Sequence, residues 1–186
     1  MRRVLLALAA VALLAVPAAA QQPGAAAPAP AGGGAGTKGL DLWLYYANEP
    51  LNELDGEFGV DVGYTMDIRK LGVRNTGPEV QGRVSLGYYS WDKRGIDYER
   101  VPLFVGAKIL SPLTPQAKVF GQLGVEFSFD DISTPVGSDD EVNVGFTPGA
   151  GVQFDLSPQI FVGGALNWHI IEDDYWTFGV GLGFKF

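Results

Sequence analysis

The sequence predicts an all-β chain, an eight-stranded antiparallel up-and-down transmembrane β-barrel. Three observations predict it: eight stretches of period-two hydrophobicity, an unequal use of their two faces, and an N-terminal segment patterned as an export signal. Side chains alternate across a strand, so a period of two sorts residues onto opposite faces of a sheet. The last stretch, Tyr175 to Phe186, shows this most plainly. Trp176, Phe178, Val180, Leu182, Phe184 and Phe186 share one parity, and Thr177, Gly179, Gly181, Gly183 and Lys185 the other.

Taken from the N-terminus, Arg2 and Arg3 precede an apolar run from Val4 to Val16, and Ala18 to Ala20 supply a small-residue cleavage site. Residues 1–20 read as a secretory signal peptide, because the apolar core is shorter than the ~20 residues a spanning helix needs. No other stretch approaches that length, so any crossing must be by strands. Residues 21–37 are almost wholly Ala, Pro, Gly and Gln and bury nothing, which fits a disordered periplasmic tether. The segment 38–186 remains as one barrel domain.

The first three strands are Leu40 to Ala47, Glu57 to Asp67 and Val80 to Trp91, with Leu42, Leu44, Val60, Val62, Val84 and Leu86 among their apolar positions. Next come Val101 to Leu110 and Lys118 to Asp130, then Val142 to Asp155 and Gln159 to Ile170, and last Tyr175 to Phe186. Each is close to the ~9 to 11 residues of a tilted transmembrane strand. Pro102 and Pro148 fall inside strands and cannot donate to a ladder, so bulges are expected there. The connections alternate in character. Ser111 to Pro115 and Ser157-Pro158 are tight, and Ile68 to Glu79 is longer and basic. Ala47 to Gly56, Asp92 to Arg100, Asp130 to Glu141 and Glu172 to Asp174 are acidic. An even strand number puts both termini on one side, so if that side is the periplasm the acidic set faces outward.

Alternation alone leaves open a soluble barrel with its oily face inward. The opposite face decides. It carries Gly59, Gly63, Gly87, Gly106, Gly124, Gly145, Gly149, Gly151, Gly163, Gly179, Gly181 and Gly183, against Gly82, Gly121 and Gly164 on the oily one. A water-facing strand surface would carry Thr, Lys and Glu, because glycine weakens a strand. A narrow lumen has little room, and small residues let eight strands close around a few larger polar groups while bulky apolar residues face lipid. Tyr46, Tyr98, Trp168, Tyr175, Trp176 and Phe186, near strand ends, are candidates for interfacial girdles.

On the terminal strand GLGFKF, the two Leu-Ser-Pro turns and this architecture, the chain resembles the small bacterial outer-membrane β-barrels of the OmpA transmembrane domain and OmpX type, over residues 38–186. In such proteins a C-terminal aromatic is part of the signal read by the outer-membrane assembly machinery, a role that falls here on Phe184 and Phe186. The resemblance implies the outer membrane as location, its lipids and lipopolysaccharide as surroundings, and a monomer. The chain ends at the barrel, so the peptidoglycan-binding domain of OmpA cannot be carried over.

Charged residues on the lumen parity are Asp41, Glu57, Asp61, Asp67, Glu126 and Asp155 against Arg69, Arg83, Lys108, Lys118 and Lys185. Charges inside a narrow barrel are costly unless paired, so a salt-bridged plug is expected, centred on Arg83 with Asp61 and Glu126. The plug is either a packed polar core or a gate on a narrow ion path. His169, the only histidine, shares this parity. Lipid A-modifying barrels pair a His with Ser and an acid, but no serine lies near His169 in sequence. Ser128 and Glu126 are the residues that would have to approach it, and no catalytic set is assigned.

The segment Asp130 to Glu141 holds five acids suited to Ca²⁺ or Mg²⁺, but its spacing matches no EF-hand loop and it reads as a solvated surface. No metal site or cofactor is assigned, and no glycine loop opens a helix as a nucleotide site would. The chain has no Cys, hence no disulfide, thiolate site or lipid-bearing cysteine. With 13 basic against 21 acidic residues it lacks the basic balance of a nucleic-acid binder. The functional expectation is a non-enzymatic envelope-structural or surface-interaction protein. A narrow porin-like channel is the alternative, and a lipid A-modifying enzyme the third reading.

Overall fold

A computed structural model describes residues 38–48, 57–68, 78–93, 96–172 and 174–186. The sequence-read signal peptide (1–20) and tether (21–37), and Arg69, lie outside the described residues. The strands are β1 (Lys38–Ala47), β2 (Glu57–Asp67), β3 (Glu79–Lys93), β4 (Ile96–Pro112), β5 (Ala117–Thr134), β6 (Gly137–Asp155), β7 (Ile160–His169) and β8 (Tyr175–Lys185). Each pairs antiparallel with its neighbour in sequence, and β1 pairs with β8, closing the barrel. Closure leaves no sheet edge along the seam. The seam ends on Lys38 and Phe186, whose backbone groups exchange two hydrogen bonds at 3.1 and 2.9 Å.

The two tight turns form as the sequence suggests. Leu113 N and Thr114 N donate to Ala117 O at the end of the barrel that holds both termini, here the termini end. Ser157 N donates to Ile160 O in the second, where the Ser157 hydroxyl also accepts from the Ile160 N–H at 3.0 Å. Short Ser side chains satisfy turn backbone groups in this way.

The strands differ from expectation at the far end. β4 begins at Ile96 rather than Val101, β5 runs to Thr134 rather than Asp130, and β6 begins at Gly137 rather than Val142. The acidic stretches 92–100 and 130–141 are therefore largely ladder, with Asp131 opposite Asp140 and Glu99 opposite Asp131. Outside the apolar zone the outward positions turn polar, so the oily alternation vanishes while the strands continue.

The expected bulges at Pro102 and Pro148 are absent. Register runs unchanged past both prolines on the β4–β5 and β5–β6 ladders. Each proline instead aims its donorless nitrogen at a gap. Pairing between β3 and β4 skips from Leu86↔Leu103 to Tyr89↔Arg100, and on the β7 side of β6 it skips from Gly149↔Asn167 to the bridge Phe146↔Ile170.

The outer face is apolar and exposed: Leu42, Leu44, Val105, Leu123, Phe127, Val144, Phe178, Val180 and Leu182 are each 39 to 62% accessible. A water-soluble barrel would hide such a band, and this one hides its polar residues instead.

Candidate functional site

The lumen is packed rather than open. Trp43, Tyr45, Tyr89, Trp91, Tyr98, Phe104, Phe120, Phe161 and Tyr175 are all buried inside it. The glycines on the lumen parity make their room. Trp43 pairs with Gly181 and Tyr45 with Gly179 across the β1–β8 seam, and Tyr89 pairs with Gly59 and Phe161 with Gly183. A methyl at any of these four glycines would overlap the facing ring. Sequence reasoning placed the glycines correctly but expected a few larger polar groups in the space they leave. The missed signal was available: these aromatics share strand parity with Asp41, Arg83, Lys108, Glu126 and His169.

Two residues assigned to interfacial girdles belong to this interior. Tyr98 and Tyr175 point inward and are essentially inaccessible, whereas Tyr46, Trp168, Trp176 and Phe186 are on the outer surface. Tyr98 and Tyr175 fall on the inward parity of β4 and β8, and parity outweighs nearness to a strand end. Trp168 and Trp176 stack in parallel at 5.1 Å on neighbouring strands. Phe184 and Phe186, the expected assembly signal, both lie outward at the seam, with ring centroids 6.3 Å apart.

Within the aromatic packing sit three polar clusters. Midway along the lumen, Arg83 Nη2 lies 2.8 Å from Asp41 Oδ1 and 2.6 Å from Asp61 Oδ1. Trp43 Nε1 donates to the same Asp41 oxygen at 2.9 Å. Strands β1, β2 and β3 supply one member each, so the register of three adjacent strands sets this triad. Glu126, expected beside Arg83, lies elsewhere. It is on β5, and its carboxylate takes Thr147 Oγ1 at 2.6 Å, His169 Nδ1 at 2.6 Å and Tyr175 Oη at 3.3 Å.

His169 bridges the second cluster. Nδ1 faces Glu126, Nε2 meets Thr177 Oγ1 at 3.1 Å, and the ring stacks on Tyr175 at 4.0 Å. Asn167 Nδ2 donates to Thr177 Oγ1 at 3.1 Å, and Gln122 Nε2 donates to Asn167 Oδ1 at 2.8 Å. An acid, an imidazole and a hydroxyl thus stand in line, the order a nucleophile would need. Thr177 is wholly buried, however, and its hydroxyl is held between Asn167 and His169 with no access from the outside. Ser128, the hydroxyl the sequence offered, donates to Asp130 Oδ1 at 2.6 Å instead.

Above these, toward the far end, Arg100 grips Asp130 with Nε at 2.8 Å and Nη2 at 2.7 Å, and Tyr98 and Asn143 donate to the same carboxylate. Bidentate geometry makes this a strong charge-assisted pair. Asp130 was read as part of a solvated acidic loop, but its inward parity on β5 takes it inside. Among the described residues no group of three or more His, Cys, Asp or Glu is placed to hold a metal ion.

At the termini end, Lys185 Nζ lies 2.6 Å from Asp155 Oδ1, and Lys118 Nζ lies 3.1 Å from Glu79 Oε2 and 3.9 Å from Asp155 Oδ2. Asp67 is buried at the same end. Lys108 Nζ stands over the Phe120 ring at 4.0 Å and donates to Gln153 Oε1 at 3.4 Å. The expected lumen charges therefore divide into separate clusters instead of one plug.

The far end carries a second feature. β7 meets β6 last at the Phe146↔Ile170 bridge, and β6 continues from Gly145 to Gly137. Over that stretch it has β5 on one side and no strand partner among the described residues on the other. With β3, β4 and β5 it forms a sheet that outruns the four shorter strands.

A family model described as the outer membrane protein beta-barrel domain matches residues 6–186. Among solved structures, Ail, the attachment invasion locus protein of Yersinia pestis, is 17% identical with a TM-score of 0.58, covering 81% of this chain and 97% of that one. Neisserial surface protein A is 11% identical with a TM-score of 0.59, and the N-terminal β-barrel domain of Pseudomonas aeruginosa OprF is 14% identical with a TM-score of 0.59. Each of these two also covers 81% of this chain and 97% of its own. No curated protein matches the sequence. At such identities the likeness to solved structures establishes the eight-stranded barrel fold. The exposed apolar band, the closed antiparallel ladder and the family match agree, and the chain belongs to the outer membrane protein β-barrel domain family as an integral outer-membrane protein.

Proposed function

We propose that this protein is a non-enzymatic, monomeric outer-membrane barrel that presents the β3–β6 sheet at the cell surface for interaction. The observation that carries this reading is the edge of β6 from Gly137 to Gly145, which has no strand partner among the described residues. Exposed backbone N–H and C=O groups on an edge are a template for another strand, and natural barrels otherwise remove their edges by closure. The outward row Glu99, Asp131 and Asp140 along this sheet adds a negative field. Divalent ions would bridge it to lipopolysaccharide phosphates. The names of two structural neighbours, an attachment invasion locus protein and a surface protein, support a surface role.

In this reading residues 1–20 direct export, 21–37 lie in the periplasm with the termini end, and the assembly machinery reads Phe184 and Phe186. The packed, inaccessible Thr177 speaks against a lipid-modifying enzyme. A narrow ion path is the second reading, favoured by a small space between the Arg83 cluster and the Glu126–His169 cluster.

The chain has no Cys, so Ser138→Cys introduces a single thiol at the edge. On intact cells it should react fully with a membrane-impermeant maleimide, while Ser157→Cys at the termini end should react only after lysis. The reverse pattern would overturn the orientation and with it the surface role. Steady conductance in a planar bilayer, rising in Arg83→Ala, would favour the ion path instead.

A further inference from the structure

We propose that the termini end of the lumen holds a small oxyanion site, built around Lys108, for a phosphate-type group. A small, solvent-open space there is lined by Lys38, Lys108 and Lys185 together with Thr65, Gln81 and Gln153. No carboxylate is among its lining residues.

Lys108 is the unusual member. It is 2% accessible, and among the described residues no carboxylate comes within 4.0 Å of its ammonium. Its one hydrogen bond among those residues, to Gln153 Oε1 at 3.4 Å, is longer than the 2.7 to 3.2 Å typical of such bonds. Burying an ammonium without a partner is costly, and the faces of Phe120 at 4.0 Å and Phe161 at 5.5 Å offset that cost only in part.

Lys185 Nζ stands 5.6 Å from the centroid of the same Phe161 ring, so two ammonium groups approach one aromatic side chain. Like charges so placed repel through a medium of low polarity, and an anion between them removes the conflict. Lys185 already has Asp155, whereas Lys108 is a buried ammonium with no carboxylate within 4.0 Å among the described residues. Gly39 lines the same space, where an added methyl would come to 2.8 Å from Thr65 Oγ1, so glycine keeps that hydroxyl open to the cavity. Compact ammonium groups and a hydroxyl suit a tetrahedral oxyanion, which needs charge and several donors rather than a planar fork. Its source is either free phosphate or a lipid headgroup.

The test uses the full mature chain folded in an uncharged sugar detergent, with inorganic phosphate as probe and sodium chloride at matched ionic strength as control. Phosphate should raise the thermal unfolding midpoint saturably, and chloride should not. In Lys108→Met, which keeps the aliphatic stem, the half-saturating phosphate concentration should rise at least tenfold. Thr65→Val should raise it severalfold without removing a charge, and serves alone if Lys108→Met does not fold. Equal responses to phosphate and chloride, or variants that match the parent, would overturn the site. Short-chain phosphatidylglycerol that competes with phosphate identifies a headgroup ligand, and absence of competition identifies free phosphate.

Discussion

Trp43 on β1 lies flat against Gly181 on β8, its register partner across the seam that closes the barrel. The indole fills the volume the glycine vacates, and its Nε1 reaches on to Asp41. Closure of the barrel and packing of its interior are thus one event at this pair. Aromatic cover of a strand glycine is a recognised means of steadying an otherwise weak position.

Gly181→Val should therefore cost more than strand propensity implies, since valine ordinarily favours a strand. Overpacking against Trp43 is expected to destabilise by about 1–3 kcal/mol. Trp43→Ala in the same chain should return part of that loss. Urea unfolding in detergent, followed by fluorescence, measures both, and strict additivity of the two changes would contradict the contact.

Arg83 joins β1, β2 and β3 through Asp41 and Asp61. Arg83→Met strands two buried carboxylates, and breaking a buried pair in this way costs about 3–5 kcal/mol. The combined Arg83→Met, Asp41→Asn, Asp61→Asn chain should recover most of it, because the charges leave together. A triple variant no more stable than Arg83→Met would show that the cluster's hydrogen-bond geometry, not its charge balance, sets the cost.

Glu126 receives bonds from three strands, through Thr147, His169 and Tyr175. Glu126→Leu leaves those donors buried and unsatisfied, at about 1–3 kcal/mol for each group not rescued by water. His169 is the only histidine, so its ring protons give a single set of NMR signals that should shift in this variant. Unmoved signals would place His169 away from Glu126.

Leu182 and Val136 separate lipid from water. Leu182 sits in the middle of the apolar band on β8, and Val136 is 97% accessible at the tip of the β5–β6 hairpin. Leu182→Arg should cost about 2–4 kcal/mol in a bilayer. Val136→Arg should stay within about 0.5 kcal/mol of the parent. Equal costs, measured by unfolding from lipid vesicles, would move the membrane boundary.

Phe186 is tied to Lys38 through two backbone hydrogen bonds. Phe186→Ala keeps those bonds, so it should fold into detergent in vitro much as the parent does. In cells the same variant should accumulate poorly in the outer membrane if the aromatic is read during assembly. Normal accumulation would leave Phe186 as one more lipid-facing side chain.

Much of the barrel was legible because lipid imposes one simple demand. Every outward position within the bilayer must be apolar, so Glu57–Asp67 could be bounded to the residue from alternation alone. The alternation ends where that demand lapses. Past Val101, Phe129 and Val142 the outward residues become Glu99, Asp131 and Asp140, and strands that continue into water read as acidic loops. Parity found most lumen charges and the Arg83–Asp61 pair, but it missed Arg100 and Asp130, which lie in stretches read as loops, and it put Glu126 beside the wrong partner.

By itself the sequence determined which face each residue takes, because alternation is a local property of an extended chain and needs no knowledge of neighbours. It placed Arg83, Glu126 and His169 inside and Val180 and Leu182 outside. Only the tertiary structure decided that Arg83 meets Asp41 as well as the expected Asp61 while Glu126 meets His169, and that glycines on one strand house aromatics from the next. Those pairings depend on strand register and on closure between β1 and β8, residues far apart in sequence that only the finished barrel brings side by side.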